Sequence, residues 1–223
     1  MNELIERYRK LYSGVIYDAL VFDLHYRPAS VVMPGLVSRL AGPREPLIGP
    51  AFTCRGRRVR AGDDVGKLES IRLDIFSQLP SGSVMVIDTE GDEGVAHFGD
   101  VSALIAHTAG VAGIVIDGYT RDIDAIDEAG VPLFARGARP VDAYGRWALV
   151  EKGKALTLSE AGVSIFPDDL VFADGDGVLI IPHDRVADVL DPAERRAANE
   201  DAIRAAIRAG EPIKDIYRRL GRW

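Results

Sequence analysis

Short, uninterrupted apolar runs alternate along this chain with segments in which apolar positions recur every three or four residues. Residues 2–12 place Leu4, Ile5, Tyr8 and Leu11 at helical spacing, with Glu3, Glu6, Arg7 and Lys10 opposite. Ser13 reads as the N-cap of a second short helix carrying Val15, Ile16, Ala19 and Leu20. From Arg27 to Gly49 the chain is rich in Pro and Gly, with β-branched pieces such as Ser30-Val31-Val32-Met33, and strands or irregular loops are expected. A strand is predicted over 49–60 and a helix over 64–78, with Val65, Leu68, Ile71 and Ile75 inward.

Residues 83–88 form a nearly all-apolar run of the kind buried on both faces of a sheet. An alanine-rich helix over 100–109 and a second apolar strand over 112–116 follow. The unit from Ser83 to Asp117 has the length of a crossover between parallel strands. Another helix is expected over 123–129, a strand over 132–135, and a β-rich stretch over 161–182 with a turn at Asp174-Gly175-Asp176-Gly177. The tail, about 184–220, reads as helical, broken near Asp191-Pro192 and again at Gly210. Its piece over 192–209 is dominated by Ala, Arg and Glu, so it packs a thin face and leaves part of itself for another subunit. The pattern is that of one α/β domain over 1–223.

Composition narrows the function classes. At 223 residues and 47% hydrophobic content, one core is expected rather than two. A formal net charge of −7 gains nothing from counterion release, so no nucleic-acid partner is expected. Arg55, Arg57, Arg58 and Arg60 lie close together, but along a strand they do not share one face and read as solvated edge charges. Cys54 is the sole cysteine, which excludes an intrachain disulfide and a cysteine-based zinc site. The N-terminus is charged and amphipathic, unlike a signal peptide, and no apolar run is long enough to span a bilayer. A soluble, cytoplasmic protein is expected.

Candidate chemistry concentrates between Gly91 and Asp122. The apolar strand 83–88 opens into Thr89-Glu90-Gly91-Asp92-Glu93-Gly94, and parallel sheets bind ligands at the carboxyl ends of their strands. His97-Phe98-Gly99-Asp100 leads into a helix, where a glycine lets a small anion approach free backbone N–H groups. The strand 112–116 runs into Asp117-Gly118-Tyr119-Thr120-Arg121-Asp122, so Arg121 and Asp122 emerge at the same end of the sheet. A hard divalent cation such as Mg²⁺ or Mn²⁺ prefers oxygen ligands and keeps several waters, so one direct carboxylate can suffice. Arginine presents a planar fork that matches a carboxylate or enolate oxygen. The same residues also suit a surface turn with a local salt bridge, and Asp100 an ordinary helix cap.

Gly99-Asp100, then Arg121-Asp122, with Gly113-Ile114-Val115-Ile116-Asp117-Gly118 between, resembles the RraA-like family. Gly130 to Gly137, Gly162-Val163 through Pro167-Asp168-Asp169, and Ala173-Asp174 with Gly177-Val178 and Pro182 extend the resemblance over most of the chain. That family includes the 4-hydroxy-4-methyl-2-oxoglutarate and 4-carboxy-4-hydroxy-2-oxoadipate aldolases. The resemblance implies a swivelling-type layered β/β/α domain with C-terminal helices, assembled as a homotrimer or homohexamer with sites near subunit interfaces. It implies Asp122 as direct metal ligand, and Arg121 on the substrate's oxo or enolate oxygen. Backbone N–H groups of Gly99, Asp100, Val101 and Ser102 would hold the carboxylate of a 2-oxo acid, and Asp100 would position the metal's waters or Arg121. Glu200, on the C-terminal helix, would be contributed to a neighbouring subunit.

The chemistry implied is a metal-dependent, pyruvate-forming aldol cleavage, with oxaloacetate decarboxylation through the same enolate as a side activity. A metal-bound water oriented by Asp100 or Glu200 would take the proton from the distal hydroxyl. The alternative within the family is a regulator that binds an RNA-processing enzyme without catalysis. The resemblance associates that reading with loss of the acid after the arginine, and here Asp122 is present. His97 is either a substrate contact or a loop residue without a role, while His25, His107 and His183 read as structural or exposed. Asp88 and Asp117 end their strands either as supports of the site or as acceptors for turn N–H groups.

Overall fold

The structure is a computed structural model describing residues 2–39, 45–158 and 162–222. Residues 40–44 of the Pro- and Gly-rich stretch and residue 161, heading the β-rich one, lie outside the described residues. The chain runs through α1 (Asn2–Tyr8), α2 (Ser13–Asp18), β1 (Val32–Met33), β2 (Val37–Ser38), β3 (Leu47–Arg58), α3 (Val65–Ser77) and β4 (Val84–Asp88). It continues with α4 (Asp100–Thr108), β5 (Gly113–Thr120), α5 (Ile123–Glu128), β6 (Leu133–Ala138), β7 (Trp147–Lys152), β8 (Leu156–Thr157) and β9 (Ser164–Ile165). It ends in the hairpin β10 (Leu170–Asp174) and β11 (Gly177–Ile181), then α6 (Val186–Arg208) and α7 (Ile213–Leu220).

The long strand β3 joins two sheets. Its start, Leu47 to Pro50, pairs antiparallel with β10; its middle, Ala51 to Arg55, pairs parallel with β4; its end, from Cys54, pairs antiparallel with β7. The strand order β1-β11-β10-β3-β4-β5-β6-β2 therefore passes from an antiparallel part to a parallel one. Strand periodicity distributes the apolar side chains between layers. Met85, Ile87, Ile114 and Ile116 face Ile75, Ala103, Ala106 and Ile126 of the helices α3, α4 and α5. Val84, Val86 and Val115 face the opposite way, toward Met33, Val171 and Ile180 of the antiparallel part. On the outside of that part, Phe172, Leu179 and Ile181 pack on Tyr8 of α1, Val15 and Ile16 of α2, Leu20 in the helical turn that follows α2, and Val189 and Leu190 of α6. This is the layered α/β arrangement with C-terminal helices that the resemblance implied.

Several local expectations are corrected. Ser13 is not an N-cap: it is the first residue of α2, Tyr12 occupies the cap without a side-chain bond, and the Ser13 N–H donates to Asp174 Oδ2 at 2.8 Å. The strand predicted over 112–116 continues to Thr120, because beyond an irregularity after Ile116 it pairs again with Gly137 and Ala138 of β6. β7 carries no apolar alternation strong enough to announce it and is held by the end of β3. The helix does not break at Pro192: α6 is continuous, and only the break at Gly210 is observed. Proline removes one hydrogen bond there, but Val189, Leu190, Pro192 and Ala193 are buried, and Arg7 ties Asp191 (3.0 Å) and Glu194 (2.7 Å) on either side of it. Among the described residues, no helix is long and apolar enough to cross a membrane.

Gly56 shows how tightly the end of β3 is built, since an added Cβ would lie 2.0–2.6 Å from three ring atoms of Trp147. That ring cannot simply withdraw, because its Nε1–H donates to Thr89 O and it stacks edge-on against His97. Gly56→Ala is expected to cost about 1–3 kcal/mol of stability by overpacking, read as a lowered urea midpoint. An unchanged midpoint would show that β7 moves freely.

Candidate functional site

β4 and β5 run parallel with Asp88 opposite Asp117, so both open at the same edge. The returning segment 97–99 lies along β5 as a short extra strand. His97 N–H donates to Tyr119 O (2.8 Å), Arg121 N–H to Phe98 O (3.0 Å), and Phe98 bridges Thr120 in parallel. This pairing brings Gly99, the N-cap of α4, against the side chains that leave β5. A Cβ on Gly99 would sit 2.6 Å from Asp122 Oδ2 and 3.2 Å from Arg121 Nε, so only glycine admits this approach. Asp122 adopts a left-handed backbone, φ 59°, at the head of α5. Its Oδ2 accepts from Arg121 Nε (3.2 Å) and the Asp100 N–H (3.4 Å).

Arg121 lines two clefts. A narrower one of about 280 Å³ also holds Gly99, Val101, Ser102, Asp142, Tyr144 and Arg72; a wider one of about 730 Å³ holds Asp100, Asp122, Asp124 and Arg139. The first intrahelical bond of α4 runs from Ala103 N–H to Gly99 O, which leaves the Val101 and Ser102 N–H groups without an acceptor among the described residues, as donors of a helix start. Asp100 is not the cap expected by default: it is the first helical residue, exposed, where a carboxylate complements the helix dipole. Thus Gly99, Asp100, Val101, Ser102, Arg121 and Asp122 converge.

Glu200 does not join them within this chain. On α6 it accepts from Tyr12 Oη (2.6 Å) and Arg204 Nη2 (2.6 Å), and the cavities it lines share no residue with the clefts of Arg121. His97 lines the narrower cleft, but both ring nitrogens are used inside the protein. Nδ1 accepts the Tyr119 N–H at 3.1 Å, which leaves Nε2 as the donor to Asp92 Oδ2 at 3.2 Å. Burial holds the His97 pKa below its ordinary value despite Asp92 nearby. Asp92 is itself buried, yet its carboxyl is kept below the usual range by Arg58 and the Gly94 N–H. The folded state therefore favours neutral His97, and protons bind preferentially to the unfolded chain as pH falls below about 6.5. The thermal midpoint is expected to fall between about pH 7.5 and about pH 5.5, less steeply in His97→Gln. Equal slopes would remove His97 as the cause.

Asp88 accepts Arg55 Nε (3.0 Å) and the Glu90 N–H (2.9 Å), and Asp117 pairs with Arg136. Arg57 pairs with Asp63 and Arg58 with Asp92, so the basic residues of β3 are largely spent on ion pairs. Cys54 is buried, with its thiol pushed up to about 12 by desolvation. Sequence reasoning missed Asp142, whose Oδ2 holds Arg121 Nη1 at 2.8 Å, and Glu69, Arg72 and Tyr144 on the cleft wall. No local pattern marks a loop carboxylate that becomes a partner only through folding.

A divalent metal is testable against these groups. Asp122 Oδ1 takes no hydrogen bond from the described residues, and the carboxylates of Asp100 and Asp124 line the same wide cleft. Among the described residues there is no group of three or more His, Cys, Asp or Glu side chains able to hold a metal. The donor set fits a hard cation held by one carboxylate and water, and does not fit a closed protein cage.

The layered α/β fold sets an Arg-Asp pair against a glycine-capped helix start, so a guanidinium and a carboxylate open beside the first turn of a helix. The family model described as RraA-like: Aldolase/RraA matches residues 15–180, and the chain belongs to that family. It is 32% identical over 205 residues to a Halalkalibacterium halodurans protein named "Putative 4-hydroxy-4-methyl-2-oxoglutarate aldolase", covering 92% of this chain and 89% of that one. It is 30% identical over 171 residues to Protein DlpA of Legionella pneumophila, covering 75% of this chain but only 26% of DlpA. Among solved structures, an uncharacterized protein from Pseudomonas syringae superposes with a TM-score of 0.82 at 28% identity, over 97% of each chain. RraAS2 of Streptomyces coelicolor, an unusual member of the RNase ES inhibitor RraA protein family, shares the fold with a TM-score of 0.78 at 24% identity, over 92% of this chain and 96% of its own.

Proposed function

We propose that this chain is a divalent-metal-dependent, pyruvate-forming lyase that cleaves a 4-hydroxy-2-oxo acid and decarboxylates oxaloacetate as a side activity. The observation that carries this reading is the close approach of Gly99, Arg121 and Asp122 beside the free N–H groups of α4. The name of the Halalkalibacterium halodurans relative supports the same class.

Cleaving the bond beyond a 2-oxo acid's C3 leaves an enolate, and the site must favour that charge more than the substrate's. The N–H groups of Val101 and Ser102 bind the substrate carboxylate and fix its plane. Arg121 donates to the 2-oxo oxygen and gains strength as that oxygen becomes the enolate oxygen. Asp122 is the protein ligand of Mg²⁺ or Mn²⁺, which when bound supplies Lewis-acid polarisation of the 2-oxo group. Asp100 orients a water that takes the proton from the 4-hydroxyl; decarboxylation of oxaloacetate needs no such base. His97 holds the 97–99 segment in place through its Nε2–H bond to Asp92 and takes no part in proton transfer.

Pyruvate release from oxaloacetate and from a panel of 4-hydroxy-2-oxo acids, coupled to lactate dehydrogenase, tests the proposal. Turnover is expected with Mg²⁺ or Mn²⁺ and should disappear with EDTA. Inactivity toward the whole panel would favour a regulator that binds a partner protein. Assembly as a homotrimer or homohexamer is part of the proposal, and light scattering after size exclusion measures it.

A further inference from the structure

The guanidinium of Arg121 is gripped from two directions by carboxylates on different segments. Nε donates to Asp122 Oδ2 (3.2 Å) and Nη1 to Asp142 Oδ2 (2.8 Å), while Nη2 has no acceptor among the described residues. We propose that Asp142 is a positioning residue of the active site, acting with Asp122 to lock the plane of Arg121 so that Nη2 is left for the substrate oxygen. This deepens the reading of the site as one that stabilises a 2-oxo acid's enolate.

Asp142 is itself anchored. Its Oδ1 accepts the Tyr144 N–H at 2.5 Å, and its backbone carbonyl accepts Arg146 Nη1 at 3.0 Å. The loop between β6 and β7 is thus curled around the carboxylate, and Oδ2 is the atom left for Arg121. The same loop lines the narrower cleft through Ala143 and Tyr144, beside Val101 and Ser102, so Asp142 acts at the wall where the α4 donors open. A long, flexible side chain loses rotamer entropy when it is fixed, and two anchors place that cost in folding rather than in each turnover. The division of labour matters once Asp122 serves a cation. Its charge is then shared, and Asp142, which stands outside the wider cleft, remains as the partner that aligns Arg121.

Orientation acts on the developing enolate more than on the bound ground state, so its loss falls on kcat. With Mn²⁺ present, Asp142→Ala is expected to lower kcat for pyruvate release by roughly 10–100-fold while KM shifts by less than about 3-fold. Asp142→Asn keeps an acceptor oxygen and should recover part of kcat; Asp142→Glu, whose longer arm misplaces the oxygen, should recover less. Thermal midpoints of all variants are measured alongside. A kcat unchanged in Asp142→Ala would overturn the proposal, as would a loss that follows the thermal midpoint or appears equally in the asparagine variant.

Calorimetric titration with oxalate, a planar mimic of the pyruvate enolate, separates this inference from the proposed function. If wild-type protein turns over no 2-oxo acid yet binds Mn²⁺ and oxalate, weaker oxalate binding by Asp142→Ala than by Asp142→Asn supports the clamp independently of the reaction. If the wild type neither turns over nor binds oxalate, Arg121 is not presented to such an anion and the clamp is rejected.

Discussion

Arg121→Ala is expected to lower kcat/KM for pyruvate release by roughly 10²–10³-fold, the usual effect of deleting a donor aimed at a developing oxyanion. Arg121→Lys should remain impaired by at least about 10-fold although the charge is kept. The reason lies in the geometry: Nε and Nη1 each serve a different carboxylate, 3.2 Å and 2.8 Å away, and a single ammonium cannot satisfy both and still meet the substrate. Steady-state kinetics with Mn²⁺ on both variants measures this. Lysine activity within about 2-fold of wild type would mean that charge alone matters and that the planar fork does not.

Asp122→Asn carries the second large expectation: loss of metal-dependent turnover, with Mn²⁺ affinity weakened by about 100-fold or more. Asparagine is the informative choice here. Asp122 sits at φ 59°, a region that asparagine adopts more readily than alanine, so an alanine variant mixes ligand loss with backbone strain. Manganese binding followed by electron paramagnetic resonance reads the first effect, and the thermal midpoint reports the second. Tight Mn²⁺ binding by Asp122→Asn would move the metal to another carboxylate of the wide cleft, where Asp100 and Asp124 lie.

Both variants act on a site whose parts differ in how far they could be read beforehand. The two buried strands, the helix between them and the loops at their carboxyl ends follow from apolar runs and a crossover of suitable length. Gly99 at a helix start and Arg121-Asp122 beyond a strand were legible from the order of the elements, although the pattern ended that strand at Ile116 and the structure carries it to Thr120. The grip of Asp142 on Arg121 spans a separation of 21 residues, with a helix and a strand between them, and no periodicity encodes it. His97 drew attention for its place in the loop, yet the structure spends both its nitrogens on Asp92 and Tyr119. Pro192 shows the same limit. Local propensity argues for a break, and the packing of α6 on α1 and α2 outweighs one missing hydrogen bond.

The amino-acid sequence by itself determined the α/β class, the parallel pair β4 and β5, the glycine-started helix and the acid after the arginine, because these depend on contacts between near neighbours and on the period of burial. Only the tertiary structure decided that the 97–99 segment pairs with β5, that a missing Cβ at Gly99 admits the Asp122 carboxylate, and that a distant loop clamps Arg121. Those are distances between groups far apart in the chain, set when whole layers pack, and no local preference specifies them.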